Sequence, residues 1–265
     1  LTQKFIHQAM PAYEAVGLPE LNLKLRDYQD VIVRRCLKAG RGTVVLATAG
    51  GKTLTIATLL EAIYKDNKDF KCALIVPDLG LVNQTYDDFA EYGVSFAASK
   101  WTGNIELDLS SNVIICNLGI LQSDRSNVEW LKAIDLCIVD EVHKLRKTNK
   151  VNKLFKQIHT PHRFGFTGTM PEEYIDQWNI IGRIGPLLYE RNSYDLRQEN
   201  YVSDVKIQIL KLQYIGLPKY TRQSSQQVNP ADRYQREIEF IINNSFRNNI
   251  ISSLCNRLEN NSLIM

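Results

Sequence analysis

The chain has 265 residues, enough for one large domain or two small ones. Its 44% hydrophobic and 23% charged residues are typical of a globular protein, and the net charge of +3 is too small to indicate nucleic-acid binding by itself. A run of about 18 apolar residues and a secretory signal pattern are both absent from the sequence. It therefore predicts neither a membrane span nor a membrane partner.

The five cysteines are scattered and form no CxxC pattern. Cys72, Cys116 and Cys137 lie within apolar runs typical of strands. The sequence therefore predicts small core residues in a reducing, cytoplasmic compartment rather than zinc ligands or disulfides.

The first 21 residues are poorly periodic and are predicted to be an upstream segment or linker, so that the chain begins within a longer protein. An amphipathic helix is predicted over Leu23–Ala39. Strands are then predicted at Thr43–Ala47, Cys72–Val76, Asn112–Cys116, Ile134–Val139 and Arg163–Phe166, and helices at Lys52–Lys65, Leu79–Tyr92 and Asn149–Ile158. This alternation predicts an α/β fold whose parallel β-sheet has helices on both faces and binds ligands at the carboxyl ends of its strands.

The alternation lapses into a polar stretch over Tyr189–Asp204. A strand at Val205–Leu212, a loop at Gln223–Asn229, a helix at Asp232–Glu259 and the opening of another strand in the last four residues follow. We expect a first domain at 22–200, then at 201–265 a linker and the truncated start of a second domain.

An apolar run ending at Ala47 leads into a segment typical of a phosphate-binding loop, composed of Thr48, Ala49, Gly50, Gly51, Lys52, Thr53 and Leu54. Small residues let backbone N–H groups approach a polyphosphate, and the helix that follows directs its N-terminus at the anion. Lys52 would contact the β- and γ-phosphates, and the Thr53 hydroxyl would hold Mg²⁺. The first Gly of the GxxxxGK[ST] pattern falls at Leu46, so a chance surface turn is the alternative.

A second apolar strand ends in Asp140-Glu141-Val142-His143. Asp140 could hold Mg²⁺ beside Thr53, and Glu141 could orient and deprotonate an attacking water. A solvated acidic turn is the alternative. His143 is either a surface or capping residue or a hydrogen-bonded link to the Thr167-Gly168-Thr169 turn.

Upstream of the loop, Leu25–Gln29 contains three residues suited to binding a nucleotide base. The Gln29 amide offers both a donor and an acceptor to an adenine edge, and Arg26 or Tyr28 could stack on the base or neutralise phosphate. Alternatively, Arg26 and Gln29 are exposed positions of an ordinary amphipathic helix.

In this order, these stretches resemble the motifs of superfamily 2 nucleic-acid-dependent ATPases, which often lack the first glycine of the loop. The matching stretches are Leu25–Gln29 (Q motif), Ala47–Thr53 (motif I), Val76–Gln84 (motif Ia), Asp140–His143 (motif II, DExH type) and Phe166–Pro171 (motif III). Within the superfamily, Tyr194–Ile207 is also similar to the UvsW-type phage recombination helicases. Transcription-repair helicases and restriction-enzyme motor subunits share the same motifs.

The resemblance implies a RecA-like P-loop NTPase fold, ATP and Mg²⁺ as cofactors, and a location in the host cytoplasm if a phage encodes the chain. Thr167, Gly168 and Thr169 would couple hydrolysis to movement. DNA (single-stranded, duplex or branched) would cross the top of the sheet, with Pro77, Gln84 and Asn117 on its phosphates. The family often has Thr where this chain has Asn117.

Two points stay open from the sequence. RNA is an alternative to DNA because both are gripped mainly by phosphate, and the motifs do not give the oligomeric state. The basic residues Lys144, Arg146, Lys147 and Lys150 either support DNA or form a solvated helix face.

In the resembled superfamily, a second domain supplies arginines from a QxxGRxxR motif. Gln177 followed by Gly182-Arg183 has the wrong spacing, and we reject it as this motif. We therefore expect an ATP-driven DNA translocase whose isolated 265-residue part hydrolyses ATP poorly. A nucleotide-gated binding switch is the alternative from another class, and a small-molecule kinase is disfavoured by the DExH and Thr-Gly-Thr combination.

Overall fold

The computed structural model of the chain describes residues 17–123, 128–145, 149–202, 209–212 and 230–257. The chain divides into two compact units, Leu1–Asp204 and Val205–Met265. Within the described ranges, no helix is both long enough and apolar enough to cross a bilayer.

The first unit is built on a single sheet of seven strands, all paired in parallel. The strands are β1 (Gly42–Leu46), β2 (Cys72–Val76), β3 (Ala98–Trp101), β4 (Val113–Asn117), β5 (Leu136–Asp140), β6 (Arg163–Thr167) and β7 (Leu187–Arg191). Their order across the sheet is β3-β4-β2-β5-β6-β1-β7. The predicted parallel sheet is confirmed.

Helices connect the strands. In the first unit they are α1 (Asp27–Ala39), α2 (Lys52–Asp66), α3 (Leu79–Tyr92), α4 (Leu118–Leu121), α5 (Asn149–Gln157), α6 (Tyr174–Arg183) and α7 (Ser193–Gln198), with short 3₁₀ helices at Glu129–Lys132 and Val142–Lys144. The described part of the second unit contains α8 (Pro230–Ile242) and α9 (Ser245–Cys255).

Apolar side chains of consecutive strand residues enter two separate cores, one on each face of the sheet. On β2, Leu74 belongs to the core under α1, α2 and α3, whereas Ile75 belongs to the core that includes Phe155 of α5 and Ile180 of α6. Because successive side chains of a strand point to opposite faces, this division requires helices on both sides. The predicted layering is therefore confirmed.

The cysteines of the first unit behave as core residues. Cys36, Cys72, Cys116 and Cys137 are buried free thiols, and burial raises the pKa of each. A thiol held neutral in apolar surroundings is a poor nucleophile, so these cysteines have a packing role.

The two strands that the sequence patterns do not predict are the edges of the sheet. β3 and β7 each pair with a single neighbour, and most of their residues are only partly buried or exposed. The alternation was predicted to lapse into a polar stretch over Tyr189–Asp204, but residues of this stretch form the end of β7 and then α7, so the alternation continues there. An edge strand covered on fewer sides does not need the continuous apolar run that marks a central strand.

The second unit differs from its prediction at one point that can be compared. The single helix predicted over Asp232–Glu259 is wrong, because α8 ends at Ile242 and the Asn244 side chain accepts a hydrogen bond from the Arg247 N–H to start α9 (2.9 Å). Residues 209–212 have no regular secondary structure, and the rest of the predicted strand at 205–208 lies outside the described residues. So do the loop at 223–229, the last strand and residues 1–16, and the domain boundaries stay predictions.

Candidate nucleotide-hydrolysing site

Three loops with chemically active side chains lie side by side at the carboxyl edge of the sheet. They follow β1, β5 and β6, which are neighbours in the order β5-β6-β1. Since parallel strands end at the same edge, this order brings the loop at 47–51, the acidic turn at 140–143 and the turn at 167–169 together. The sequence-predicted site is thus assembled by the fold.

The loop after β1 requires its two glycines for different reasons. Gly51 has φ +76°, and a Cβ there would lie 2.3 Å from Nε2 of Gln29. A Cβ on Gly50 would lie 2.7 Å from Cγ of Leu46. Leu46, at the position of the missing first glycine, is a fully buried core residue at the end of β1, so it packs into space that glycine at position 50 leaves open.

Gly51 is the N-cap of α2, which begins at Lys52 and has no acidic residue in its first turn. The N-terminus of a helix carries backbone N–H groups without helical partners and a partial positive charge. A phosphate group is therefore favoured here. The chance surface turn considered from the sequence does not account for this geometry.

The first turn of α1 holds the carbonyl groups of the loop. The Tyr28 hydroxyl donates to the Gly50 carbonyl (3.0 Å), Nε2 of Gln29 donates to the Gly50 and Gly51 carbonyls (3.2 and 3.0 Å), and Arg26 Nη1 donates to the Ala49 carbonyl (3.4 Å). With its carbonyls bonded on one side, the loop can present N–H groups on the other.

Gln29 is placed differently from either interpretation of the sequence. Its side chain is 1% exposed, so the exposed helix position is wrong for this residue. Its Oε1 accepts from the Arg26 N–H (2.8 Å), so the oxygen and the nitrogen of the side-chain amide both form hydrogen bonds within the protein. The observed role of Gln29 is to support the loop, and contact with adenine stays a prediction that requires some of these bonds to be exchanged.

Lys52 and Glu141 form an ion pair across the site, with Nζ 3.1 Å from Oε1. The side chains are 13% and 23% exposed, so the pair is partly shielded from water. Glu141 has φ +50° and ψ +50°, a left-handed conformation that costs a non-glycine residue roughly 1–2 kcal/mol. Such backbone strain is concentrated at functional sites. The solvated acidic turn does not describe this carboxylate.

Asp140 is the last residue of β5 and is partly buried. Burial is the main cause that raises the pKa of its carboxyl to about 6, the charge of Glu141 adds to the rise, and Lys52 opposes it. Its Oδ1 accepts from the Glu141 N–H (2.9 Å). Because burial disfavours the charged form of this carboxyl, a bound cation would stabilise the ionised carboxylate.

The donors near the loop fit a magnesium ion that is shared with phosphate. Asp140 and the Thr53 hydroxyl offer hard oxygen ligands, as the sequence predicts. Among the residues that the structure describes, no group of three or more His, Cys, Asp or Glu side chains forms a metal cluster. Mg²⁺ is commonly held by one or two protein oxygens together with substrate phosphates and water.

His143 links the acidic turn to the turn after β6. Its Nδ1 lies 2.8 Å from the Thr167 hydroxyl oxygen and 3.2 Å from Oε2 of Glu141. The Thr167 hydroxyl already donates its hydrogen to the Thr169 carbonyl (2.9 Å), and a carboxylate only accepts. Nδ1 of His143 therefore carries the hydrogen that faces the Thr167 oxygen and the Glu141 carboxylate. The contact predicted from the sequence is present.

The predicted nucleic-acid contacts occupy the other half of the edge. Val76 and Asn117 are register partners on β2 and β4, so Pro77 and Asn117 stand at neighbouring strand ends. Asn117 lies against a cavity of about 760 Å³, and its buried Oδ1 has no hydrogen-bond partner among the described residues. Gln84 is exposed and lies farther along α3. The strand register places Pro77 beside Asn117, and the contact of Gln84 with nucleic acid stays a prediction.

The remaining basic residues are placed only in part. Lys144 is exposed, Arg146 and Lys147 lie outside the described residues, and nothing is described of the Lys150 side chain. Arg183 donates to the Leu145 carbonyl (2.8 Å), which is a structural contact within the first unit and agrees with its rejection as a catalytic arginine.

Sequence patterns missed Arg191 and Tyr201, which contact Tyr28 beneath the loop. Both lie in the polar stretch over which the alternation was predicted to lapse. The available signal was weak: Tyr201 belongs to Tyr194–Ile207, which is similar to the resembled family, but nothing in its spacing connects it to the loop.

A family model described as the res subunit of type III restriction enzymes matches residues 22–172, more than half of the chain. The chain is 27% identical over 206 residues to the DNA 3'-5' translocase XPB2 of Sulfurisphaera tokodaii, a match that covers 74% of this chain and 44% of the relative. It is 31% identical over 140 residues to the ATP-dependent DNA helicase Hel308 of Methanococcus vannielii, covering 48% of this chain and 18% of the relative. The chain thus spans less than half the length of these relatives.

Solved structures agree on the fold. The UvsW helicase from Bacteriophage T4 superposes with a TM-score of 0.56 at 20% identity, covering 70% of this chain and 65% of that protein. This likeness confirms the RecA-like architecture predicted from the motifs. The chain belongs to the family described as type III restriction enzyme, res subunit, and its predicted place among superfamily 2 helicases is confirmed.

Proposed function

We propose that this chain is the ATP-hydrolysing part of a DNA helicase or translocase that unwinds duplex DNA or remodels branched DNA in recombination or repair. The observation that carries the proposal is the Lys52–Glu141 ion pair (3.1 Å), which connects a phosphate loop to an acidic strand end. Relatives named as an ATP-dependent DNA helicase and a DNA 3'-5' translocase support the reaction and the substrate, together with the match to the res subunit of type III restriction enzymes.

Binding of ATP would redistribute the charges of this pair. Nζ of Lys52 would turn to the β- and γ-phosphate oxygens, which carry more negative charge than one carboxylate. Glu141 would then be released to accept a proton from a water aligned with the γ-phosphorus. The water oxygen bonds to phosphorus while the bond to the bridging oxygen breaks, and the products are ADP and inorganic phosphate.

Asp140 and Thr53 would hold Mg²⁺ together with the phosphate oxygens, and the ion would neutralise charge that develops during transfer. Nδ1 of His143 contacts both the Glu141 carboxylate and the Thr167 hydroxyl. A change in the charge of Glu141 therefore reaches the turn at 167–169, which supports the coupling role proposed for Thr167, Gly168 and Thr169. Pro77, Gln84 and Asn117 are proposed as contacts to nucleic-acid phosphates; on Asn117 the amide nitrogen would donate.

We propose further that the 265-residue chain hydrolyses ATP slowly by itself. The chain covers only part of each relative, and superfamily members take catalytic arginines from a second domain. Such arginines are worth on the order of 10³–10⁵ in rate. Fast DNA-stimulated turnover by this chain alone would contradict this point. We also propose that a phage encodes this chain.

The test compares ATP turnover of the complete protein and of its Glu141→Gln variant, with Glu91→Gln as control. Glu91 is an exposed glutamate at the end of α3, away from the site. We expect Glu141→Gln to lose roughly 10²–10⁴-fold in turnover, as for removal of a general base, and Glu91→Gln to match the wild type. Equal rates for wild type and Glu141→Gln would contradict an enzyme and favour a nucleotide-gated switch.

Stimulation of wild-type turnover by duplex DNA, forked DNA and RNA of equal sequence then identifies the substrate. We expect forked or duplex DNA to stimulate most, with a response that weakens as salt increases because phosphate contacts release counterions. Stimulation by RNA alone would replace the DNA proposal with an RNA helicase.

A further inference from the structure

The structure contains an aromatic and guanidinium cluster beneath the phosphate loop that the reaction described above does not use. Its members are Arg26, Tyr28, Arg191 and Tyr201. The Tyr28 and Tyr201 rings meet edge to face with centroids 5.2 Å apart, at an interplanar angle of 78°. The guanidinium carbon of Arg191 lies 4.8 Å from the Tyr28 centroid, and that of Arg26 lies 5.3 Å from the Tyr201 centroid.

The cluster is joined to the loop at several points. Arg26 Nη1 donates to the Tyr28 hydroxyl (2.8 Å), which donates in turn to the Gly50 carbonyl (3.0 Å). The carbonyl of Arg191 accepts from the Ala47 N–H (3.1 Å), where the loop begins. The groups that hold the loop carbonyls are therefore themselves held by Tyr201 and Arg191.

Local structure explains why Tyr201 reaches this position. α7 ends at Gln198, and Asn200 adopts φ +58°, a left-handed conformation that asparagine tolerates. The Tyr201 N–H bonds to the Leu196 carbonyl and the Asn200 N–H to the Arg197 carbonyl (both 2.9 Å), which are the two bonds of a Schellman motif. This ending reverses the chain, and Glu199, next to it, forms an ion pair with Arg191.

We propose that Tyr201 is a positioning residue for ATP binding: its ring fixes Arg26 and Tyr28, which orient the carbonyls of the phosphate loop. The inference deepens the proposed function and rests on it. Tyr201 contacts Tyr28, and Tyr28 in turn bonds to the loop. Tyr201 therefore influences ATP binding through the position of the loop and not by contact with the base. Edge-to-face and cation–π contacts carry the interaction, and these depend on the ring.

The experiment measures binding of a fluorescent N-methylanthraniloyl ATP with Mg²⁺ to the full 265-residue chain. We expect Tyr201→Ala and Tyr201→Leu to raise its Kd roughly 3- to 10-fold, because each loses the three ring contacts with Tyr28, Arg26 and Arg191. Tyr201→Phe should bind like the wild type, since it keeps the ring. Tyr194→Ala is the matched control, because Tyr194 is on α7, the helix that precedes Tyr201, is 63% exposed and should leave binding unchanged.

Displacement of the probe by inorganic tripolyphosphate separates positioning from base contact. Tripolyphosphate has no base, so a role through the loop predicts that Tyr201→Ala weakens it in parallel with ATP. Unchanged tripolyphosphate affinity, or equal ATP affinity of Tyr201→Leu and wild type, would overturn the inference. A lower melting temperature with unchanged Kd would also overturn it, as the sign of a merely structural residue. If the wild type itself fails to bind the probe, the proposed function fails instead.

Discussion

The carboxyl edge of the sheet has two halves that are built in different ways. Where β1, β5 and β6 end, hydrogen bonds and an ion pair within the protein hold the reactive groups, as in the contacts of Gln29 with the loop and of Lys52 with Glu141. Where β2 and β4 end, Asn117 instead has a buried oxygen without a partner in the described residues and borders a cavity. The difference indicates a preorganised nucleotide half, whereas the half proposed to contact nucleic acid leaves an acceptor that a phosphate oxygen cannot satisfy, so only the Asn117 amide nitrogen could bond to phosphate.

Replacing Gly51 by Ala should break the nucleotide half. The left-handed backbone costs alanine roughly 1–2 kcal/mol, and the new Cβ would displace Gln29 from a distance of 2.3 Å. We expect the free energy of unfolding to fall by about 2–4 kcal/mol and ATP affinity to fall at least about 10-fold. Urea unfolding and calorimetric titration with ATP measure the two effects.

Gly182→Ala is the control for this change. Gly182 is within α6 and a Cβ there would meet nothing within 4 Å. Alanine should stabilise the helix by about 0.5–1 kcal/mol and leave ATP binding unchanged. Equal effects of the two substitutions would contradict the preorganised loop.

Asp140→Asn should separate stability from function in the same half. Because burial raises the folded-state pKa of Asp140 to about 6, above its ordinary value, the native state holds this proton more tightly than the unfolded chain. The ionised group therefore destabilises the fold above pH 6, and this penalty disappears as the pH falls from about 6 to about 4. Asparagine should remove it and raise stability at pH 8 by about 1–3 kcal/mol.

The melting temperature of Asp140→Asn should then be higher than that of the wild type at pH 8 and similar to it near pH 4. With ATP present, millimolar Mg²⁺ should raise the melting temperature of the wild type but not of the variant, because a ligand carboxylate is lost. A variant less stable than the wild type at pH 8 would show that the buried carboxylate is compensated in a way that the described contacts do not reveal.

Asn117→Leu should test the other half. A buried acceptor without a partner costs about 1–3 kcal/mol, and an apolar replacement of similar volume avoids this cost. We expect equal or slightly higher stability of the variant but several-fold weaker binding to duplex DNA, measured by fluorescence anisotropy at two salt concentrations. Unchanged DNA affinity would remove Asn117 from the proposed contacts.

The smallest expected effect is that of Ala49→Gly. Ala49 has φ +63°, so glycine should relieve strain and stabilise the chain by about 1 kcal/mol, or about 2–4 °C in melting temperature. Ala62→Gly, the same change within α2, should destabilise by a similar amount because glycine is unfavourable in a helix interior. Differential scanning calorimetry of the pair checks the opposite signs.

Local patterns predicted where three residues of the nucleotide half lie relative to the strands, and their chemical roles stay predictions. Asp140 ends a buried strand, and Glu141 and Lys52 come after one, and a parallel sheet brings such strand ends to the same edge whatever their order along the chain. Each strand end is marked by the few residues around it, so the positions of these residues could be predicted from local sequence.

Roles that depend on distant contacts were not predicted. The bonds from Gln29 Nε2 to two carbonyl groups more than twenty residues away had no signal in the sequence, and contact of Gln29 with adenine stays a prediction. Tyr201 and Tyr28 are in contact although they lie near opposite ends of the sequence of the first unit. The left-handed backbone of Ala49 has no sequence signal, because alanine rarely adopts this conformation. In each case the tertiary structure, rather than local propensity, fixes the outcome.

The exposed margins of the sheet have a consequence for solubility. β3 and β7 each leave one row of backbone N–H and C=O groups unpaired by the sheet, and such rows can recruit strands from other molecules. β3 is only four residues long and includes Lys100, while β7 ends in Glu190 and Arg191. Short length and charge discourage edge-to-edge aggregation, so the polarity that concealed these strands in the sequence also protects the protein from adding a foreign strand.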